Sequence, residues 1–153
     1  MKVTVKKMNK FLIFKLPSAY LCGVRLRALD DIKSVVTVKH RWINQNPFNS
    51  MYFAVQSMAA ELTTGAIVIK KITDSGQKIS MLVTNHNGSF TKKAVGIITF
   101  TCNDGNLIDS ALNKTIETGE PQTIKMKSVG IDETGEQVSV YEFEWGIKLK
   151  SKK

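Results

Sequence analysis

The chain has 153 residues, of which 42% are hydrophobic and only 3 are proline. This length suits one globular domain, residues 1–153, and the composition excludes an intrinsically disordered protein. The formal net charge is +9, but residues 1–15 hold five lysines without an acid and the basic C-terminal end, residues 147–153, holds four more. Because the rest is neutral, we expect no nucleic-acid partner, although attraction of an anionic ligand stays open.

The two cysteines and two histidines are isolated in the sequence. Cys22 and Cys102 show no CxxC spacing, and neither His40 nor His86 stands near a second ligand, so we expect reduced thiols and no metal site. The first apolar run stops at Lys15, too early for a signal peptide, and no segment approaches the roughly 20 apolar residues of a membrane span. The sequence therefore predicts a cytoplasmic protein without a membrane partner.

The first part of the chain predicts a helix followed by a hairpin. Residues 1–20 form an N-terminal helical segment, in which an amphipathic helix over 3–14 stops before Pro17. Strands are predicted over 24–29 and 35–42. Alternation in the second strand places four side chains on one face, namely Val36, Val38, His40 and Trp42.

The stretch from Met51 to Leu62 is apolar on nearly all sides and predicts a buried helix. Its polar residues are Gln56, Ser57 and Glu61. A buried carboxylate costs several kcal/mol unless it is paired or protonated. Glu61 therefore requires either a structural partner or a chemical role.

Both ends of this helix have alternatives. Asn46 followed by proline is a typical helix start, in which the asparagine caps free amides, but Asn49 or Ser50 could be the cap instead. The helix ends at Gly65, or it continues to about Ile72 before a turn.

Beyond the helix, alternating apolar residues predict an antiparallel sheet. The first strand runs over 79–84 and is followed by a turn over 85–88. Further strands are predicted over 93–102, 121–129 and 141–149, and a short amphipathic helix over 104–117. This order predicts an α+β protein whose sheet curves around the central helix.

The chain resembles the hotdog-fold acyl-CoA thioesterases of the phenylacetyl-CoA and 4-hydroxybenzoyl-CoA type, and most closely a branch with the same helix–hairpin entry. The resemblance lies in the element order and in NPFNSMYFAVQSMAAELTTG, preceded by PSAYLCGVRLR and followed by KISMLVTN. It implies a curved antiparallel sheet of five or six strands around one long helix, with an N-terminal helix and a short inserted helix. It also implies a homodimer or a dimer of dimers, with sites at the interface and no cofactor except coenzyme A as part of the substrate.

The resemblance also implies site residues. Asn46 falls where these enzymes have an amide residue, and Glu61 falls where they have the catalytic acid. The positions of a frequent His-Gly-Gly, whose backbone N–H polarises the thioester carbonyl, are taken by Tyr52, Phe53 and Ala54. The chain departs from the pattern in the bulk of Phe53 and in Asn49, which replaces a frequent glycine.

Helical geometry places Glu61 on a stripe of small residues. Ala54, Ser57, Glu61 and Gly65 are three or four residues apart and share one face. This face has room for a second backbone or a ligand, and the alternative is a structural ion pair or cap for Glu61. Three methionines could line an acyl tunnel, although filling the core is the commoner role: Met51, Met58 and Met81.

A distance then separates the two parts of the predicted site. Glu61 is eight residues beyond Phe53, which is roughly 12 Å along a helix. One thioester cannot contact the start of a helix and the Glu61 of the same helix. If both groups act on one substrate, they must therefore come from different subunits, whose helices lie side by side and antiparallel in the region of the stripe.

We therefore predict an acyl-thioester hydrolase with active sites shared across a homodimer. Glu61 and Asn46 are the predicted catalytic residues. The predicted substrate-binding residues are Tyr52, Phe53, Ala54, Ser57 and Met58. The alternative is a non-catalytic hotdog domain that binds an acyl ligand or only dimerises, and acyl dehydration is disfavoured because no histidine lies on the helix or its approach.

Overall fold

The computed structural model describes residues 2–150, so residues 151–153 of the predicted basic end lie outside the described part. The helices are α1 (Val5–Lys15), α2 (Pro17–Leu21), α3 (Phe53–Ser75) and α4 (Asn106–Thr118). The strands are β1 (Arg25–Leu29), β2 (Ser34–Lys39), β3 (Ile79–Phe90), β4 (Ile97–Cys102), β5 (Gln122–Ile131) and β6 (Gln137–Leu149).

The strands form one antiparallel six-stranded sheet in the order β1-β2-β4-β5-β6-β3. Buried and exposed residues alternate along the strands, and β6 shows this best, with Tyr141, Phe143, Trp145 and Ile147 buried on its inner face. Helix α3 lies against this inner face and contacts β1, β2, β4, β5 and β6. A sheet that curves around one long helix is the hotdog fold, so the predicted α+β class and architecture are confirmed.

Helix α3 has 23 residues and is buried along most of its length. Ala59, Ala66, Ile67 and Val68 are completely inaccessible to solvent. The helix ends at Gly76, whose φ of 68° is a left-handed cap that glycine adopts without strain. Of the two predicted ends, continuation past Gly65 is therefore the one observed.

Three buried polar side chains of α3 find partners on the strands. The pairs are Gln56–Ser139, Thr63–Ser128 and Thr64–Trp145, with donor–acceptor distances of 2.8, 2.8 and 2.9 Å. A buried polar group left without a partner costs about 1–3 kcal/mol. These bonds therefore fix the rotation of the helix about its own axis and determine which residues face away from the sheet.

The predicted turn over 85–88 is wrong. Strand β3 continues to Phe90 and pairs with β6 throughout, with one register shift between Val83 and Asn85. Asparagine and glycine favour turns locally, but eleven residues paired with a long neighbouring strand outweigh that preference. The result is a long edge strand at one side of the sheet.

Two other local predictions are wrong. Strand β2 ends at Lys39, and Trp42 lies in a short 3₁₀ turn with 83% of its surface exposed, so it does not share the inner face with Val36. The central helix begins at Phe53 rather than at Asn46, because the residues between them form a tight loop.

Cys22 and Cys102 are free thiols, and burial raises the pKa of the Cys102 thiol to about 12. Within residues 2–150, no group of three potential ligands is placed to hold a metal ion. None of the helices in this range is long and apolar enough to span a bilayer.

Candidate functional site

A cleft of about 510 Å³ opens at the N-terminal end of α3. Its walls are the loop before the helix, the first helical turn and the segment after β3. The side chains that matter most for its chemistry are Asn46, Tyr52, Phe53, Gln56, Phe90 and Lys93. The structure therefore brings together three of the predicted site residues, and it adds three that were not in the predicted set.

The first turn of α3 leaves backbone amides free at this cleft. Tyr52 is the N-cap residue and supplies no side-chain cap, although its carbonyl accepts from the amides of Val55 and Gln56. Within residues 2–150, no acceptor contacts the amides of Phe53 or Ala54. Free amides at the positive end of a helix dipole favour a partial negative charge. A carbonyl oxygen that becomes more negative during a reaction would be stabilised here.

Asn46 holds the loop that precedes the helix. Its Oδ1 accepts from the amides of Phe48 (2.9 Å) and Ser50 (3.2 Å), and its Nδ2 donates to Ser50 Oγ (3.0 Å). In the same loop Asn49 has a φ of 57°, a left-handed conformation that asparagine tolerates better than most residues. The helix-cap role for Asn46 is therefore wrong, and Asn49 adopts a backbone conformation that glycine would also adopt without strain.

Aromatic rings form the side of the cleft next to β3. The Phe53 ring is 54% exposed and meets Tyr52 and Phe90 edge-on, with centroid distances of 5.0 and 6.4 Å. Phe90 also packs edge-on against Tyr141 at 5.7 Å, and the Tyr141 hydroxyl donates to the Phe53 carbonyl (3.2 Å). These contacts fix the first turn of α3. They leave the Phe53 ring partly exposed at the opening of the cleft.

The first half of α3 carries one partly exposed stripe. Its members are Ala54, Ser57, Met58 and Glu61. Ser57 lies beside Tyr141, where burial raises the pKa of the phenol and the serine hydroxyl lowers it. Gly65, the predicted continuation, is buried instead, and a Cβ at this position would lie 3.0 Å from the Trp145 indole. The stripe therefore ends at Glu61.

The three methionines all contribute to the core. Met51 is buried, and Met58 and Met81 are half-buried and pack against the buried cluster. Met58 is the one on the stripe, so it alone combines a core contact with an accessible edge on that face.

The Glu61 carboxyl group is desolvated, and within residues 2–150 its oxygens accept no hydrogen bond and form no ion pair. A Cβ built on Gly65 would lie 3.2 Å from Glu61 Oε1 and 3.0 Å from Cζ2 of Trp145, so the acid shares a tight space with an indole. The ion pairs within residues 2–150 use other carboxylates. Burial raises the pKa of Glu61 from an ordinary value of 4.5 to about 7. The described part of the chain thus contains no ion pair or cap that explains this acid, and a carboxyl that titrates near neutral pH suits a general base.

The sequence prediction misses Gln56 and Phe90. Gln56 follows Phe53 by three residues, so the two lie on the same side of the helix. This spacing is visible in the sequence and was sufficient to predict Gln56 beside the cleft. Phe90 reaches the cleft only because β3 continues past the predicted turn, which no local pattern indicates.

The comparison with known protein families identifies the chain at family level. A model of the family described as Domain of unknown function (DUF4442) matches residues 5–147. The chain belongs to this family. No curated protein gives a significant match.

Solved structures show the same fold as this DUF4442 chain at low sequence identity. PA5026 from Pseudomonas aeruginosa, described as a protein of unknown function and probable thioesterase, matches with a TM-score of 0.83 and 20% identity over 98% of this chain and 99% of its own. A protein of unknown function from Chlorobaculum tepidum has a TM-score of 0.82 and 15% identity over 95% and 94% of the two chains. Thioesterase HI1161 from Haemophilus influenzae has a TM-score of 0.74 and 11% identity over 97% and 93%.

In the DUF4442 chain the candidate groups fall into two sets. Asn46, Tyr52 and Phe53 lie at the cleft, whereas Glu61 lies two turns further along α3, roughly 12 Å from the helix start. Ala54, Ser57 and Met58 occupy the stripe between them. One chain therefore has free amides at the start of α3 and a carboxyl group further along the same helix. The two are too far apart to contact the same thioester group.

Proposed function

We propose that the protein is an acyl-thioester hydrolase whose two active sites are shared between the subunits of a homodimer. The observation that carries the proposal is Glu61, a carboxyl with a pKa raised to about 7 and no partner within residues 2–150, at the end of the partly exposed stripe of the central helix. The solved structures with the same fold that are described as thioesterases support the reaction class.

Two antiparallel helices in contact along the stripe would bring the two sets of groups together. The stripe is made of small or flexible side chains, so the helices can approach closely. In that arrangement the Glu61 of one subunit faces the first turn of the other subunit's α3. Each dimer would then contain two complete sites, each with amides from one chain and a carboxylate from the other.

The reaction follows from these groups. The amides of Phe53 and Ala54 hold the thioester carbonyl oxygen and stabilise its negative charge as the carbon becomes tetrahedral. Glu61 removes a proton from water while the water oxygen forms the new bond to that carbon. When the tetrahedral intermediate breaks down, the carbon–sulfur bond is cleaved and Glu61 returns the proton to the departing thiolate. The products are a carboxylic acid and a thiol.

Glu61 has a second chemical option as a nucleophile. Its carboxylate would displace the thiolate to form an anhydride, which water then hydrolyses. In either case Asn46 positions the loop beside the substrate, and its direct contact with water or carbonyl stays a prediction. Ser57 and Met58 would contact the acyl group along the stripe, beside Tyr52.

The second candidate is a hotdog domain that binds an acyl group without hydrolysing it. The half-exposed ring of Phe53 favours this candidate, because it narrows the approach to the free amides. The two candidates differ in turnover and agree in binding, so one experiment separates them.

The test is a hydrolysis screen over aryl, short-chain and long-chain acyl-CoA thioesters, with thiol release as the readout. Wild type should hydrolyse at least one class, and Glu61→Gln should lower kcat by about 10²–10⁴. The control is Glu142→Gln, which neutralises an exposed carboxylate on β6 and should leave kcat unchanged. Acyl-CoA binding by calorimetry without turnover would establish the second candidate, and unchanged turnover in Glu61→Gln would remove Glu61 from the mechanism.

A further inference from the structure

The outer face of the sheet carries a basic groove of about 380 Å³ across β1 and β2. We call it the basic groove and define it by Arg25, Arg27, Thr37, Lys39 and Arg41, with Ile97 at one side. Four of its side chains are cationic and none is acidic. The groove is distinct from the cleft at α3, because it faces away from the central helix.

Strand alternation places these residues together. Thr37 and Lys39 are two residues apart on β2 and project from one face. On β1, a register shift between Leu26 and Ala28 interrupts the alternation at Arg27, and the bond from Arg27 Nε to Thr37 Oγ1 places this arginine beside the same face. The register sets Arg25 opposite Thr37 and Lys39 opposite Ile97 of β4. Arg41 continues the same side just beyond β2.

Two of the three arginines of the groove are held in place by contacts other than ion pairs. Arg25 donates to the carbonyls of Tyr20 and Val24 (2.8 Å each) and lies 3.6 Å above the Tyr20 ring. Arg27 Nε donates to Thr37 Oγ1 (2.8 Å). A guanidinium uses only part of its five donors in such bonds, so the others remain available to a ligand. Arg25 and Arg27 are therefore preorganised, while their charges are not compensated by an acidic side chain.

The cationic side chains of the basic groove have no acidic partner, whereas several lysines elsewhere in the described chain do. Within residues 2–150, the ion pairs involve Lys70, Lys71 and Lys92, and no cation of the basic groove. Lys92, at the rim of the cleft, is tied to Asp132 and Glu136, and Lys93 donates to the carbonyl of Phe48 (3.1 Å). Four unpaired cations in one concave site attract an anion with several charges.

The groove and the cleft open at the same end of the sheet. Ala94 lines the cleft and Ile97 lines the groove, and three residues of chain span at most about 10 Å. On the other side, Arg41 of the groove precedes Trp42, which begins a shallow depression that reaches Asn46 and Pro47 of the cleft. An extended ligand can therefore follow the surface from one site to the other.

We propose that the basic groove binds the phosphate groups of the coenzyme A nucleotide while the thioester end of the same molecule enters the cleft. The proposal rests on the proposed function for the identity of the thioester. Arginine pairs bind phosphate oxygens in a two-point geometry, and the pyrophosphate and 3′-phosphate of the nucleotide supply enough charge for four cations. The substrate class is then a coenzyme A thioester rather than a thioester on a carrier protein, which lacks these phosphates.

The binding test uses the nucleotide alone, adenosine 3′-phosphate 5′-diphosphate, measured by calorimetry on the full chain. Arg27→Gln with Lys39→Gln removes two charges that have no structural bond beyond Thr37, and should weaken binding about tenfold or more. The control, Lys125→Gln with Lys127→Gln, removes two exposed charges from β5 of the same sheet and should leave binding unchanged. Equal binding in wild type and the groove variant, or an equal loss in the control, would overturn the proposal.

A kinetic arm separates this proposal from the hydrolase proposal. The groove variant should raise KM for an acyl-CoA about tenfold with kcat retained, and it should not change kcat/KM for the same acyl group on N-acetylcysteamine, which has no phosphates. If no thioester is hydrolysed, the hydrolase proposal fails. The calorimetric measurement still tests whether the basic groove binds the nucleotide. Two results would overturn the assignment to the nucleotide. One is that inorganic pyrophosphate binds as tightly as the nucleotide. The other is that the groove variant loses only the binding of an acyl carrier protein.

Discussion

Glu61 links the chemistry of the site to the stability of the fold. Its pKa is about 7 in the folded protein and near 4.5 when burial is lost, so between these two pH values the folded state keeps a proton that the unfolded state has released. The free energy of unfolding should therefore fall as pH rises from 4.5 to 7, by at most about 3 kcal/mol from this group.

Glu61→Gln removes this ionisation while keeping the shape of the side chain. The variant should match wild type in stability near pH 4 and exceed it by about 1–3 kcal/mol at pH 8, because no charge is then buried beside Trp145. Urea unfolding of both proteins at pH 4, 6 and 8, at one protein concentration, measures the difference. Glu142→Gln, on the exposed side of β6, should show no such pH-dependent difference. A constant offset between wild type and Glu61→Gln would mean that the acid is not desolvated in solution.

The free amide of Phe53 can be removed without losing the helix. Proline fits the first position of a helix, and Tyr52 already has the extended conformation, φ −62° and ψ 134°, that a residue before proline prefers. Phe53→Pro should therefore fold, and its kcat should be about 10²-fold below that of Phe53→Ala, which loses the same ring but keeps the N–H. Thiol release by the two variants is the measurement. Equal rates would show that this amide does not hold the carbonyl oxygen.

At the scale of elements, the contact between α3 and β6 is tight enough to reverse an ordinary preference. Alanine usually stabilises a helix by about 1 kcal/mol relative to glycine. At Gly65 a Cβ would meet Trp145 at 3.0 Å, and Thr64 holds that indole by a hydrogen bond. We expect Gly65→Ala to destabilise the protein by about 1 kcal/mol or more, because the ring cannot move aside. Chemical denaturation measures this change.

A double-mutant cycle tests whether Trp145 is the cause. Trp145→Phe shortens the ring on the side of Gly65 and should itself cost stability through lost packing and a lost hydrogen bond. In that background Gly65→Ala should become neutral or stabilising, which is a coupling of about 1–2 kcal/mol. If the two substitutions show no coupling, the destabilisation by Gly65→Ala has a cause other than contact with Trp145.

The sequence is a good guide to the elements whose side chains show a simple period. The apolar run of α3 predicts its burial, and the alternation in β6 predicts its two faces, because both patterns depend on the residues themselves. The sequence fails where one signal suits two structures. Asn46 followed by proline begins a helix or a turn equally well, and here three hydrogen bonds within the loop decide for the turn.

The site is predictable only in part for the same reason. Helical spacing places Ala54, Ser57 and Glu61 on one stripe, since that depends on one element. Phe90 and the basic groove depend on which strands become neighbours, and this is set by the packing of the whole sheet. The surroundings of Glu61 likewise include Trp145, which is 84 residues away in the sequence.

For the whole molecule, the surfaces left uncovered indicate how a second copy would bind. Strand β3 is an edge of the sheet, and its segment from Asn85 to Phe90 is exposed and uncharged. An edge with free backbone groups and no charge pairs readily with another strand. The stripe of α3 is partly exposed as well, and a two-fold axis that pairs β3 with its copy would also set two α3 helices antiparallel.

Mixing two inactive variants tests the shared site directly. Glu61→Gln lacks the carboxylate and Phe53→Pro lacks one amide, so in a mixed dimer one site carries both defects and the other carries neither. After unfolding and refolding together at equal concentration, about half of the dimers are mixed, and activity should return to about a quarter of wild type. Each variant refolded alone should stay inactive, and light scattering should show dimers in every sample. Mixed samples without activity, or a monomer in solution, would contradict a site built from two chains, since a monomer leaves Glu61 and the free amides roughly 12 Å apart on one helix.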